Sequence, residues 1–169
     1  MMINGWMVRA GKGGKYFNEF KDNNYVAVGW NNLGPLDQFE NDEQRKAAYI
    51  ATYGNEKPSK TANAIGMIRR FGQEMKKNDW LVTYCPQKRN YLIGKDRGEF
   101  QFIERDDEGY RQIRKVDWLG EVSRDRLSQI TKTRLGSTLT LFSLKDDVIS
   151  DLLGVLKSVT SKVESSKVS

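Results

Sequence analysis

The chain contains no histidine. That absence excludes Ser-His-Asp and Cys-His nucleophile schemes, and with them His-based zinc and non-haem iron sites. Chemistry would have to rest on carboxylates, lysines or tyrosines, so the sequence argues against an enzyme. A single cysteine, Cys85, excludes an internal disulfide and any multi-cysteine zinc centre. No metal and no cofactor is expected. No apolar run approaches the length of a membrane span, and "MMINGWMVRAGKGG" lacks the long apolar centre of a secretory signal. The expected location is the cytoplasm, with no membrane partner.

What is present is enough for one domain with a real core: 169 residues, 38% hydrophobic and 30% charged. The formal charge is +6 and the pI about 9.4, a balance that favours polyanions such as nucleic acid.

Strand and helix signals alternate along the chain. "GWMVRAG" (5–11) reads as a strand, with Trp6, Val8 and Ala10 on one face. "KYFNEFKDNN" places Phe17 and Phe20 on one helical face. "YVAVGW" (25–30) is apolar almost throughout and reads as a strand buried on both faces. Asp42 is the expected cap of a helix stopped by Gly54. Ser59 or Thr61 is the expected cap of a second helix, whose apolar stripe is Ala64, Ile65, Ile68, Phe71 and Met75.

Strands are then expected at 80–85, 91–98, 99–104, 110–122 and 138–144, with Ser123 capping a helical turn. A helix over 146–160 and a flexible tail over 161–169 close the chain. Closely spaced strands pair antiparallel. The expected fold is α+β: a small, twisted, mixed β-barrel or barrel-like sheet with helices packed outside it. Residues 1–145 are expected to form one domain, followed by the helix and the tail.

Two patterns carry chemistry. In "VAVGWNNLG" (26–34) a strand ends in Trp30, followed by Asn31 and Asn32. A nucleobase binds by stacking on an aromatic face while amides read its edge; the alternative is a tryptophan that caps the core above an asparagine turn. The second pattern is cations interleaved with aromatics and glycines: Lys12 and Lys15 around "GKGGKY", Lys88 and Arg89 after Tyr84 and Pro86, Arg69 and Arg70 in a helix, and Arg124, Arg126, Lys132 and Arg134 before "LGST". On one face such groups neutralise phosphates; scattered, they are solvated surface. "GKGGKY" lacks the spacing of a nucleotide P-loop. Glu74 and Lys76 match half of a nuclease metal motif, but on a helix and without the upstream Asp.

Together, "WMVRAGKGGKYFNEF", "VAVGWNNLG", "NDWLVTYCPQKRNYLIGKDRG" and "VDWLGEVSRDRLS…LGSTLTLF" resemble a domain found at the front of modification-dependent restriction endonucleases, similar to the EVE and YTH branch of the PUA-like superfamily. The resemblance spans roughly residues 5 to 143. It implies a small twisted barrel and an aromatic pocket for a modified base flipped from its strand. Trp30 stands where a cage tryptophan follows the second strand, and Asn31 at the adjoining small polar position. Arg9-Ala10 replaces the Lys-Ser of those relatives. Tyr84, Cys85 and Pro86 lie where the strand rim closes the pocket, and Trp6, Tyr84 and Trp118 compete for the second aromatic wall. Backbone contacts fall to Arg9, Lys12, Lys15, Arg69, Arg70, Lys88 and Arg89.

The expected function is non-catalytic recognition of modified, methylated double-stranded DNA by base flipping. The chain would be the sensor module of a restriction or defence system whose nuclease is another domain or subunit. The alternatives are an RNA-binding PUA-like module and a small nucleotide-acting enzyme.

Overall fold

A computed structural model describes the backbone of residues 3–168 and the side chains of residues 3–158. Six strands form one mixed sheet: β1 (Gly5–Val8), β2 (Tyr25–Val28), β3 (Trp80–Cys85), β4 (Asn90–Phe102), β5 (Gln112–Ser123) and β6 (Leu141–Leu144). The spatial order is β2-β5-β4-β3-β1-β6. β1 and β3 run parallel, and every other neighbouring pair is antiparallel.

The alternation of side chains across this sheet divides the core in two. Trp6, Val8 and Ala10 join Val26, Val28 and Ile113 on the face covered by α1 (Phe17–Asn23), α2 (Asp42–Tyr53) and α3 (Pro58–Arg69). Met7, Val82, Tyr91 and Ile93 face the other way, onto α4 (Gln129–Leu135) and α5 (Asp146–Val168).

The expected barrel does not form. β2 and β6 are the two outer strands of the sheet and do not pair with each other. β2 approaches β1 without joining it in the sheet. Closure requires a matched ladder between the outer strands, and each of them is only four residues long. The curl of the sheet comes instead from β4 and β5, whose register slips at Ile93/Gly94 and again between Asp96 and Phe100. At Gly94 a Cβ would lie 2.3 Å from the Asp117 carbonyl oxygen, so only glycine permits that crossing.

The two strands expected at 91–98 and 99–104 are therefore one bent strand. Its second half leans out of the core and turns through residues 103–111 into β5.

Several element ends differ from their sequence signals. α2 is capped by Asn41, whose side chain accepts from the Gln44 amide, rather than by Asp42. Gly54 does end it. α3 starts at Pro58 with no side-chain cap, because Pro supplies a preset φ at its first turn; Ser59 and Thr61 are already inside it. Ser123 caps as expected, but over a short 3-10 turn, Arg124–Arg126. β2 stops at Val28, two residues short of Trp30, and β6 begins only at Leu141.

α5 runs Asp146–Val168, so its backbone stays helical well past 160. The side chains of the expected tail, 161–169, lie outside the described residues, as does the backbone of Ser169. Among the described residues no helix is long and apolar enough to cross a membrane.

Buried polar groups lock this frame. Asp79, fully buried, accepts from Trp6 Nε1 at 2.9 Å, from the Lys76 and Asn4 amides at 3.0 and 3.1 Å, and from Lys76 Nζ at 3.0 Å. Asp96 and Arg114 form a buried ion pair at 2.8 Å, and Arg114 also donates to the Phe71 carbonyl at the end of the α3 region.

Candidate nucleic-acid interface

The "GKGGKY" segment is where the functional residues converge. β1 ends at Val8; the chain then passes Arg9, whose amide bonds to the Thr140 carbonyl at 2.8 Å, and turns through Gly11–Lys15 into α1. Gly14 has φ +72, and a Cβ there would meet Pro86 Cδ at 2.5 Å and the Tyr84 carbonyl at 3.3 Å. A left-handed backbone and direct contact with the β3–β4 turn are thus both required at that residue. Gln87 ties the same turn to the loop through the Gly13 carbonyl at 3.0 Å. On its other side the loop packs Gly11 against the ring of Tyr16.

A pair of tyrosines stands on each side of this loop. Tyr84 and Tyr91 are cross-strand partners in the β3–β4 ladder, with ring centroids 4.4 Å apart. They wall a cavity of about 300 Å³ together with Arg9, Pro86, Arg124 and Phe142. Burial pushes the Tyr91 phenol upward, while the hydrogen bond and charge of Arg124 pull it back.

The second pair, Tyr16 and Tyr110, has centroids 4.7 Å apart. Lys15 Nζ lies 5.0 Å above the Tyr16 ring. Burial also raises the Tyr110 phenol, opposed by the nearby charges of Lys15 and Arg9. Tyr110 lies against Gly29, where a Cβ would sit 3.3 Å from its ring, and so beside Trp30.

Trp30 is half-buried over the core, in a left-handed conformation with φ 59. Its shape is imposed from below. Gln112, fully buried, donates to the Trp30 carbonyl at 3.3 Å and to the Gly34 carbonyl at 2.7 Å, and accepts from the Leu36 amide at 3.2 Å. Trp30 is not among the residues that line the cavity beside Tyr84; the two aromatic neighbourhoods are distinct and the glycine loop separates them.

Asn31 does not present its amide as an edge reader. Nδ2 donates to the Gly109 carbonyl at 2.9 Å and Oδ1 accepts from the Arg111 amide at 3.0 Å, so the side chain acts as a short strand that pins the β4–β5 hairpin. Its backbone carbonyl accepts from Gly34 at 3.3 Å.

The remaining expected residues divide by what they touch. Trp6 is 5% exposed, with its indole N–H on Asp79; it is core and cannot wall a pocket for a ligand. Trp118 spends its N–H on the Phe20 carbonyl at 3.0 Å and packs α1 onto β5. Cys85 is buried in the cluster of Trp6 and Val8, facing away from the cavity that its neighbours Tyr84 and Pro86 line.

Among the cations, Arg69 is held by Asp42 and Glu74, at 2.6 and 2.9 Å, and Arg89 by Asp125 at 2.6 Å. Arg69 and Arg70 line a separate groove between α2 and α3. Glu74 and Lys76 are likewise committed, to Arg69 and Asp79.

By contrast Arg9, Lys12, Lys15, Lys88 and Arg124 form no ion pair among the described residues. Tyr91, Tyr110 and Phe142 carry no motif of their own in the sequence. The signal for Tyr91 was its register opposite Tyr84 across the short "PQKRN" turn; Tyr110 had none, because it depends on how the hairpin folds back.

No curated protein and no solved structure matches the chain. A family model does, over residues 6–145, which take in nearly the whole sheet and α1–α4 but not α5. The chain therefore belongs to the family described as "Domain of unknown function (DUF8426)".

Proposed function

We propose that this domain is a non-catalytic reader of nucleic acid. The polymer's phosphates lie on Arg9, Lys12, Lys15 and Lys88, and an extruded, modified base of DNA is received by the aromatic groups beside the glycine loop, with Trp30 as the platform. The observation that carries this reading is a cluster of unmatched cations interleaved with aromatic rings. Arg69, Arg89 and Arg134 are held by carboxylates. Those around the glycine loop have no acidic partner among the described residues, and they stand between two tyrosine pairs.

Unpaired cations are the footprint of phosphate binding. Aromatic faces at the same place supply base stacking worth about 1–3 kcal/mol per base, against a flipping cost of a few kcal/mol. The resemblance to the EVE and YTH branch supports a modified base as the target. An open, curled sheet, rather than a closed barrel, carries the site. On this reading any nuclease acts from another domain or subunit of a restriction or defence system.

The test is a binding panel of otherwise identical duplexes bearing methyladenine, methylcytosine, hydroxymethylcytosine or no mark, with an RNA of the same sequence and the Trp30→Ala variant. Preference for one modified duplex, lost in Trp30→Ala, is expected. Equal affinity for all DNA duplexes would overturn modified-base recognition, and tighter binding of RNA would move the assignment to an RNA module.

A further inference from the structure

The cavity beside Tyr84 differs in kind from three other hollows among the described residues. Each of those includes carboxylates in its lining: Asp42 and Glu43 between α2 and α3, Glu56 at the far end of the same helix pair, and Asp96, Glu99 and Asp117 on the side of α5. The Tyr84 cavity has two arginines, Arg9 and Arg124, and no carboxylate in its lining.

Both arginines are held in place. Arg9 Nη1 donates to the Thr138 carbonyl at 3.0 Å. The Arg124 backbone is fixed through its amide, which donates to the Arg89 carbonyl at 2.9 Å, and its positive charge lies near the Tyr91 phenol. The neighbouring acid, Asp125, forms its ion pair with Arg89 instead, with bonds at 2.6 and 3.1 Å. Leu135 and Phe142 close one side of the space with apolar surface. Two guanidinium groups at the edge of one cavity, one exposed and one half-buried, and neither in an ion pair among the described residues, are complementary to an oxyanion, and their planar forks match two oxygens of a phosphate.

We infer that this cavity is a phosphate subsite, which takes the phosphodiester next to the base being read and lays its sugar along the Leu135–Phe142 wall. The strand as the source of that phosphate rests on the nucleic-acid reading above; the cavity's chemistry does not. The subsite brings Arg124 and the Gly136–Thr138 backbone into the interface and explains why Arg9 is tethered rather than free.

The experiment is a residue-resolved NMR titration with inorganic phosphate against chloride at constant ionic strength, paired with duplex binding in the same buffers. Saturable shifts confined to Gly13, Gly14 and Gly136–Thr138 are expected. Arg124→Gln and Arg9→Gln should each weaken phosphate binding about tenfold or more, while Lys46→Gln, an equal loss of charge on α2, leaves it unchanged. Phosphate should compete with the duplex, and both cavity variants should weaken the duplex.

Arg9 is exposed, so its variant keeps the test valid if Arg124→Gln unfolds. Unsaturable shifts spread over surface lysines, or full phosphate binding by both variants, would overturn the subsite. Saturation of the cavity with no effect on duplex affinity would overturn its assignment to the strand. Arginine-dependent phosphate binding without any polymer binding would overturn the nucleic-acid reading and leave a site for free phosphate.

Discussion

Replacing Gln112 with leucine removes a buried side chain that holds the Trp30 loop from beneath. Three hydrogen bonds disappear, but they are not equivalent. The Trp30 carbonyl keeps a second partner, the Leu33 amide at 3.1 Å. The Leu36 amide is buried and loses its acceptor, and the Gly34 carbonyl loses a 2.7 Å donor. A buried group stripped of its partner costs about 1–3 kcal/mol. The half-buried carbonyl costs less, and the added apolar surface of leucine returns part of the loss. The net cost is about 1–4 kcal/mol, a large share of the roughly 5–15 kcal/mol of a typical domain.

Urea unfolding should register that loss as a lower midpoint with an unchanged slope. Calorimetry should show Tm falling by roughly 2–15 °C for a chain of this length. Hydrogen exchange gives the sharper readout. The Leu36 amide should lose protection well beyond the global change, because the loop opens locally before the sheet does. A loss under about 1 kcal/mol, or Leu36 protection that falls only in step with the strands, would refute the claim that Gln112 braces the loop.

Three further outcomes are expected. Arg105 holds Glu19 and Asp107 below the usual carboxylate range, chiefly through its hydrogen bonds to them. Their contribution is complete above the unfolded value, 4.5 for Glu19, and is lost as pH falls below it. Burial, then the bond to a glutamate, pushes Tyr25 and Tyr49 up to about 12 from 10.0, so their contribution is lost as pH rises from 10 to 12. Urea midpoints should therefore drop on both sides of neutrality, and Glu19→Gln should flatten the acid limb; an unchanged acid limb in that variant would count against the Arg105 anchor. Asp79→Ala orphans the Trp6 indole and two amides and should cost about 3 kcal/mol or more, read by chemical denaturation; a loss under half of that would mean water replaces the carboxylate. Lys12→Gln should weaken duplex binding and reduce the salt slope by about one, whereas Arg69→Gln should leave affinity within about twofold because its charge is already matched; fluorescence anisotropy across a salt series separates the two cases.

Local chemistry was legible from residue order because it depends on near neighbours. The apolar run at 80–85 is a strand with the expected ends, the three-residue spacing of Phe17 and Phe20 places both in the core, and Gly54 stops α2. Cations interleaved with aromatics around Lys12, Lys15 and Lys88 also stood out, because a basic run beside glycines needs no distant partner to be seen.

Whether a polar side chain is available is a different matter, since long-range contacts decide it. Asn31 looked free, yet both ends of its amide are taken by a hairpin 78 and 80 residues further on. Arg69 and Arg89 looked like Lys12 and Lys88 until folding set carboxylates against them. Trp6 resembled Trp30 as a strand-associated indole, but Asp79 claims it from 73 residues away. The same holds for sheet closure and for the cavity shared by Arg9 and Arg124. Residue order by itself determined which segments fold into strands and helices and that the surface would be cationic. Only the tertiary structure decided which cations remain unmatched and which aromatics are spent in the core, because a charge or an amide is neutralised through space by groups whose positions no local pattern encodes.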